Sequence, residues 1–202
     1  MLYFPSRTKN SYVTVIPEEY KPLKEFTACL QANTTMDGSL FSFTSRKYDN
    51  EILLFILPGV IYKVFVGNKL SKFPVPVLPK GWIHYCISWQ SYSGKVQVWM
   101  NGKRLSYSIL NKGYVIPQNP SIILGQEQDS FGGGFDTRQS FVGEIADVHM
   151  WDRELSSTEI KFVFEGDSSI KGNIINWDKV KYNLYGNVLI KPLETVTLPV
   201  KC

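Results

Sequence analysis

The chain has 202 residues, 44% of them hydrophobic and 14% aromatic, with a formal net charge of +4. That is long enough to bury a substantial core as a single domain over 1-202, and too apolar for a disordered segment. Lys and Arg are scattered, without the positive stripe of a nucleic-acid binder, and the longest apolar run, Ile52 to Leu57, falls far short of the ~20 residues a membrane-spanning helix needs.

Met1 to Pro5 has neither the basic start nor the long apolar stretch of a leader, and a chain written from its mature end would read the same way. From there strand patterns dominate. Ser11 to Ile16 and Leu40 to Thr44 alternate, whereas Ile52 to Leu57 is continuously apolar, as a strand covered on both faces would be. Ile61 to Val66 closes on Gly67-Asn68, and Trp82 to Trp89 alternates again. Val96 to Met100 runs into Asn101-Gly102, a hairpin signal, because both central positions of a type I′ turn need φ > 0. Ser121 to Leu124 and Phe141 to Trp151 follow. One short α-helix is expected near 156-165: Ser156-Ser157-Thr158-Glu159 has the form of a capping box, Ile160, Val163 and Phe164 form an apolar stripe, and Gly166 supplies a stop. Many short strands with turn signals, and no internal repeat or linker, predict an all-β fold, a two-sheet sandwich or jelly roll.

Cys29 and Cys86 both lie in segments that read as buried strands. A disulfide between them would contribute about 4 kcal/mol in the chain-entropy model, while two buried free thiols would leave the same sequence pattern. Cys202 is left over, as for an intermolecular bridge or a free thiol.

The most informative segment runs from Gly125 to Gln139. Glu127, Asp129 and Asp136 alternate there with Gln126, Gln128 and Gln139 around Gly132-Gly133-Gly134. Hard cations such as Ca²⁺ take six to eight oxygen ligands, and a loop of carboxylates and amides with glycine hinges supplies that chemistry. The spacing is not that of an EF-hand, and no Gly-Lys-Ser/Thr follows the glycines as in a phosphate-binding loop. A solvated acidic loop would have the same composition.

Leu124 to Gly133 closely resembles the signature of the short pentraxin family. Asp49 to Leu53, Cys86 to Trp89, Trp99 to Gly102, Gln139 to Ile145 and Met150 to Asp152 follow in the family's order and spacing, so the resemblance covers essentially the whole chain. It implies a two-sheet lectin-like jelly-roll sandwich, a Cys29–Cys86 bond, a cyclic homopentamer or stacked decamer, and secretion into the extracellular space. It also implies calcium-dependent, opsonin-type pattern recognition in innate immunity, with two Ca²⁺ ions per subunit. Carried over by position, one ion would take Asp49, Asn50, Glu127, the Gln128 carbonyl and Asp129. The second would share Glu127 and Asp129 and add Asp136 and Gln139. Four carboxylates against two divalent ions leave the centre formally neutral and open to an anionic ligand.

Beside the ions, the phosphocholine-binding branch of the family places a phenylalanine, a threonine and a glutamate. Those positions align with Phe55, Phe65 and Leu70. Leu70 cannot pair with a quaternary ammonium, and Phe65 crowds the slot for its methyl groups. A second branch has tyrosines where Phe55 and Phe65 stand, and this chain resembles that branch with its hydroxyls removed. The implied ligands are phosphate esters, phosphoethanolamine ahead of phosphocholine, or acidic carbohydrate on microbial or damaged-cell surfaces. Core packing is the other reading of the two phenylalanines.

Asn33-Thr34-Thr35 is a glycosylation acceptor pattern. His84 and Cys86 share a strand face, a hint of zinc against which the disulfide has the better claim. A jelly-roll glycosidase would need paired carboxylates; Glu127 and Asp129 are two apart, and Glu144 and Asp147 are expected on opposite faces of a strand. Metal ligation accounts better for the first pair, so the chain is read as a binding protein and not an enzyme. A calcium-braced oligomer without ligand capture is the further alternative. One family position implicated in complement contact is Asn101 here, in place of an aspartate, which leaves complement engagement open.

Overall fold

The structure, a computed structural model, describes residues 1–17, 19–75 and 81–192; Cys202 lies outside the described residues. In chain order the strands are β1 (Leu2–Phe4), β2 (Tyr12–Ile16), β3 (Glu25–Asn33), β4 (Gly38–Thr44), β5 (Ile52–Leu57), β6 (Ile61–Val66), β7 (Lys69–Pro74) and β8 (Ile83–Gln90). They continue as β9 (Lys95–Met100), β10 (Lys103–Ile109), β11 (Ser121–Leu124), β12 (Gly143–Trp151), β13 (Ile175–Asn176), β14 (Lys181–Tyr185) and β15 (Leu189–Ile190). Helix α1 (Ser157–Phe164) follows β12.

Two antiparallel sheets form, in the orders β10-β9-β8-β3-β12-β1-β15, with β13 on β12, and β14-β2-β11-β4-β5-β6-β7. They pack face to face, as the alternation predicts. Phe26, Leu30, Tyr85, Ile87 and Trp89 of the first sheet meet Phe41, Phe43, Ile52, Leu54, Ile56 and Tyr62 of the second in one buried cluster. Each fully buried large side chain contributes about 1.5–3 kcal/mol, which makes this cluster the main stabilising term.

The continuous apolar run in β5 has the expected cause. Ile52, Leu54 and Ile56 point into the core, while Leu53 and Phe55 are equally buried but absent from it. On their side of the sheet they line a cavity with Glu127 and Gln139. The first sheet is covered from outside. Cys29, Cys86, Trp99 and Trp151 there form a second cluster with Leu155, Ile160 and Val163, beneath α1. Cys29 and Cys86 are directly opposed on β3 and β8 and joined in a disulfide.

Local chemistry sets the turns. Asn101 and Gly102 have φ of 48° and 73°, and Gly67 and Asn68 have φ of 52° and 62°, so both links are two-residue turns with both positions left-handed. Helix α1 starts on the predicted capping box: the Ser156 hydroxyl accepts from the Glu159 N–H, and the Glu159 carboxylate accepts from the Ser156 N–H at 2.8 Å. It ends on Gly166 (φ 80°), with the Asp167 N–H donating to Phe162 and the Gly166 N–H to Val163.

One expectation fails. Glu144 and Asp147 do not face opposite sides of β12. A bulge between Ala146 and His149 adds a residue, Asp147 takes φ 53°, and both carboxylates end on the outer face. There Glu144 accepts from Asn33 and Asp147 from Gln31.

Replacing Cys29 and Cys86 together by serine is expected to cost about 2–5 kcal/mol, or roughly 5–15 °C in Tm for a chain of this size. Differential scanning calorimetry with and without reductant checks this. A wild-type Tm indifferent to reduction of the bond would contradict it.

Candidate carboxylate centre on the outer face of the second sheet

The site is assembled from three stretches. The first is the tight connection between β4 and β5. Ser45 N–H bonds to Tyr48, the Thr44 hydroxyl donates to the Asp49 carbonyl, and the Asn68 N–H donates to the Asn50 carbonyl. Glu51 is fully buried behind it and accepts from the Ser45 hydroxyl and from the Tyr114 hydroxyl at 2.9–3.0 Å. These bonds consume the backbone and leave the side chains of Asp49 and Asn50 to each other, the Asn50 amide donating to the Asp49 carboxylate at 3.5 Å.

The second stretch follows β11. Gln126 and Gln128 are buried completely and serve as structural staples. The Gln126 amide donates to the carbonyls of Thr8 and Ser11. The Gln128 amide donates to Ser42 and Ser121, both at 3.1 Å, and its carbonyl oxygen accepts from the Gly132 N–H. Between these anchors Glu127 and Asp129 turn outward. Gly125 (φ 86°) closes the loop base by accepting from the Phe141 N–H. A Cβ at Gly125 would overlap the Phe4 ring, itself packed edge-on against Phe141.

The third stretch holds Asp136, which caps a 3₁₀ turn over Thr137–Gln139, and Gln139, the last residue of that turn. Arg7 ties this turn down, donating to the carbonyls of Arg138 and Ser140 and pairing with Asp37. Phe135 packs on Tyr12 of β2.

Electrostatics link the three stretches. The Glu127 carboxyl is pushed up to about 7, first by burial and then by Asp129, with Lys63 opposing and Asp49 adding. Asp129 is pushed up by burial and then by Asp49 and Asp136. Among the described residues no hydrogen-bond donor reaches either carboxylate. Asn50 Oδ1 and Gln139 Oε1 are buried and likewise lack a partner. A buried amide oxygen with no donor is costly, and an array of such oxygens beside unpaired carboxylates is what a hard cation satisfies. Asp136 behaves differently: its carboxylate is clasped by Arg138, which holds it down to about 2.

Adjoining Glu127 and Gln139 is a cavity of about 220 Å³ lined also by Leu53, Phe55, Lys63, Phe65, Leu70 and Lys72. Phe55, Phe65 and Leu70 therefore all belong to it, and Phe55 is not part of the inter-sheet core. Leu53, Lys63 and Lys72 were not singled out from the sequence. The signal was present in the alternation: each lies two residues from Phe55, Phe65 or Leu70 on the same strand.

The other candidates separate from this site. Cys29, His84 and Cys86 do converge, but both sulfurs are spent in the disulfide, which removes the zinc reading. Asn33 lies on the opposite sheet, and its amide nitrogen donates to Glu144 at 3.1 Å. Asn101 sits in the β9–β10 turn, its side-chain oxygen accepting from the His84 N–H.

Comparison with known proteins gives a consistent picture. The Pentaxin family model matches residues 1–192. Mucosal pentraxin of Bos taurus is 44% identical over 191 residues, spanning 94% of this chain and 86% of that one. C-reactive protein of Cavia porcellus is 43% identical over 193 residues, spanning 94% and 85%. Serum amyloid P-component of Bos taurus is 42% identical over 198 residues, spanning 94% and 86%. Among solved structures, a native heptameric SAP-like pentraxin of Limulus polyphemus superposes with a TM-score of 0.80 at 23% identity, covering 93% of this chain and 92% of that one.

The raised Glu127 carboxyl has a consequence for stability without metal. A group that holds its proton more tightly when folded weakens the fold as pH rises from its ordinary 4.5 to about 7. Asp129 acts in the same sense. Melting curves in EDTA should therefore show Tm falling across that window, with a shallower fall in Glu127→Gln. Parallel slopes for the two proteins would refute the assignment.

Proposed function

The chain belongs to the pentaxin family, and from that premise we propose that it is a secreted, calcium-dependent recognition protein that captures phosphate-bearing or carbohydrate ligands. Members of the family, C-reactive protein and serum amyloid P among them, are non-enzymatic recognition proteins of innate immunity, and this chain is a pattern-recognition protein and not an enzyme. The observation that supports calcium is the cluster of oxygens left without donors: Asn50 Oδ1 and Gln139 Oε1 beside the unpaired Glu127 and Asp129. In this reading Asp49, Asn50, Glu127, the Gln128 carbonyl and Asp129 hold one ion. Glu127, Asp129, Asp136 and Gln139 hold the other.

When bound, the ions supply positive charge and open coordination positions for an oxyanion of the ligand. The chain's own residues do the rest. Gln126 and Gln128 fix the loop, Glu51 fixes the turn that bears Asp49 and Asn50, and the Phe55–Phe65 wall shapes the adjoining cavity. Assembly into a cyclic homopentamer or stacked decamer would place several such faces in one plane. Weak single-site binding then becomes avid capture on a surface that repeats the ligand.

Calcium at about 100-fold over its Kd should raise Tm by roughly 5–10 °C. The protein should be retained on an immobilised glycerol-phosphate resin with calcium and released by EDTA with the ligand unaltered. The Glu127→Gln, Asp129→Asn double variant should pass through. Retention in EDTA, or stabilisation by calcium with no retention, would overturn the reading. A finer consequence concerns the Arg138 clasp, which competes with a cation for Asp136. Arg138→Ala should tighten calcium binding by roughly two- to five-fold, the range of an exposed ion pair, in titration calorimetry. Unchanged or weaker binding would exclude Asp136 from the ligand set.

A further inference from the structure

The cavity beside the carboxylate centre is chemically two-sided. The register of β5, β6 and β7 builds two rows across the outer face of the sheet. Leu53 opposes Phe65, which opposes Leu70, while Phe55 opposes Lys63, which opposes Lys72. One row is an apolar wall and the other ends in two ammonium groups. All six residues line the cavity, along with Glu127 and Gln139.

Two like charges directly opposite on neighbouring strands destabilise a sheet, so this pair needs a counter-charge. Lys63 Nζ lies 5.2 Å from the centre of the Phe55 ring, and its positive charge opposes the burial that raises the Glu127 carboxyl. Neither lysine forms a salt bridge among the described residues, whereas Lys21, Lys95, Lys161 and Lys171 do. Once Glu127 is committed to a cation, both ammoniums face the cavity without an acidic partner.

Resting on the calcium reading above, we propose that the ligand carries two acidic groups. One oxyanion would sit on the metal centre, and a second, carboxylate or phosphate, would reach into the cavity between Lys63 and Lys72. A short carbon spacer would lie against Phe65 and Leu53. The same geometry sets the protein against ligands whose second group is an ammonium, because phosphoethanolamine and phosphocholine would point their positive charge at the two lysines. Sugar acids bearing phosphate and polyol phosphates carrying a carboxylate fit the required chemistry.

A matched pair of probes isolates the second group: glycerol 3-phosphate and 3-phosphoglycerate, with phosphocholine as the cationic contrast. On the calcium-loaded protein, titration calorimetry should show 3-phosphoglycerate binding roughly ten-fold tighter than glycerol 3-phosphate, and phosphocholine weakest, the scale of one charge-assisted contact. In the Lys63→Gln, Lys72→Gln variant the ratio of the two affinities should shrink to about two-fold or less. Both lysines are at least partly exposed, so the variant is expected to fold. If glycerol 3-phosphate binds with calcium but 3-phosphoglycerate gains nothing, or phosphocholine binds tightest, the two-acid inference fails alone. If no phosphate binds in a calcium-dependent manner, the reading of the centre fails and takes this inference with it.

Discussion

The buried amide of Gln128 is the contact on which the face of this molecule depends. It donates to Ser42 on β4 and to Ser121 on β11, and accepts from Gly132 within its own loop. Four carboxylates are gathered at this end of the sheet, and their mutual repulsion would drive an untethered loop away from the turn that holds Asp49. A fully buried, fully bonded amide resists that, because opening the loop would strand its polar atoms without partners. Gln126 adds a second tie two residues earlier, its amide donating to Thr8 and Ser11 while its own side-chain oxygen is left without a partner. The Glu127 and Asp129 carboxyls are raised first by burial and then by the neighbouring carboxylates, so part of that repulsion remains in the folded state.

The second constraint is register. The Gly67-Asn68 turn has both residues left-handed and admits a single pairing of β6 with β7. Asn111 secures it by donating to the carbonyls of Val66 and Gly67. A slip of one residue would exchange the outer rows for the core-facing Val64, Val66 and Phe73 and abolish the cavity. The pocket's mixed character, apolar along one row and cationic along the next, is thus a property of strand pairing rather than of any one segment.

The two sheets carry different burdens on their outer faces. Beneath α1 the first sheet is sealed by a disulfide and two tryptophans, with Trp99 Nε1 buried without a partner and polar pairs such as Asn33–Glu144 satisfied. The second sheet carries a loop that leaves oxygens unpaired. The inter-sheet core stabilises both sheets alike, and the donor-poor carboxylates Glu127 and Asp129 lie on the outer face of the second.

Much of this was determined by the amino-acid sequence alone. Alternation and turn residues specify the sandwich, the capping box specifies α1, and the family pattern identifies the acidic loop, because each is a local signal read within a few residues. Three features were decided only by tertiary structure. The bulge in β12 moved Asp147 to the face of Glu144, since a bulge depends on the partner strand and leaves no fixed mark in sequence. The Arg138 clasp on Asp136 arises from the 3₁₀ turn, which two charges at a spacing of two do not announce. Lys63 and Lys72 looked like scattered surface charge and became a pair because antiparallel register places residues nine apart directly opposite one another. Strand pairing is a relation between segments, and that is why the carboxylate centre was legible beforehand while the charge of the cavity beside it was not.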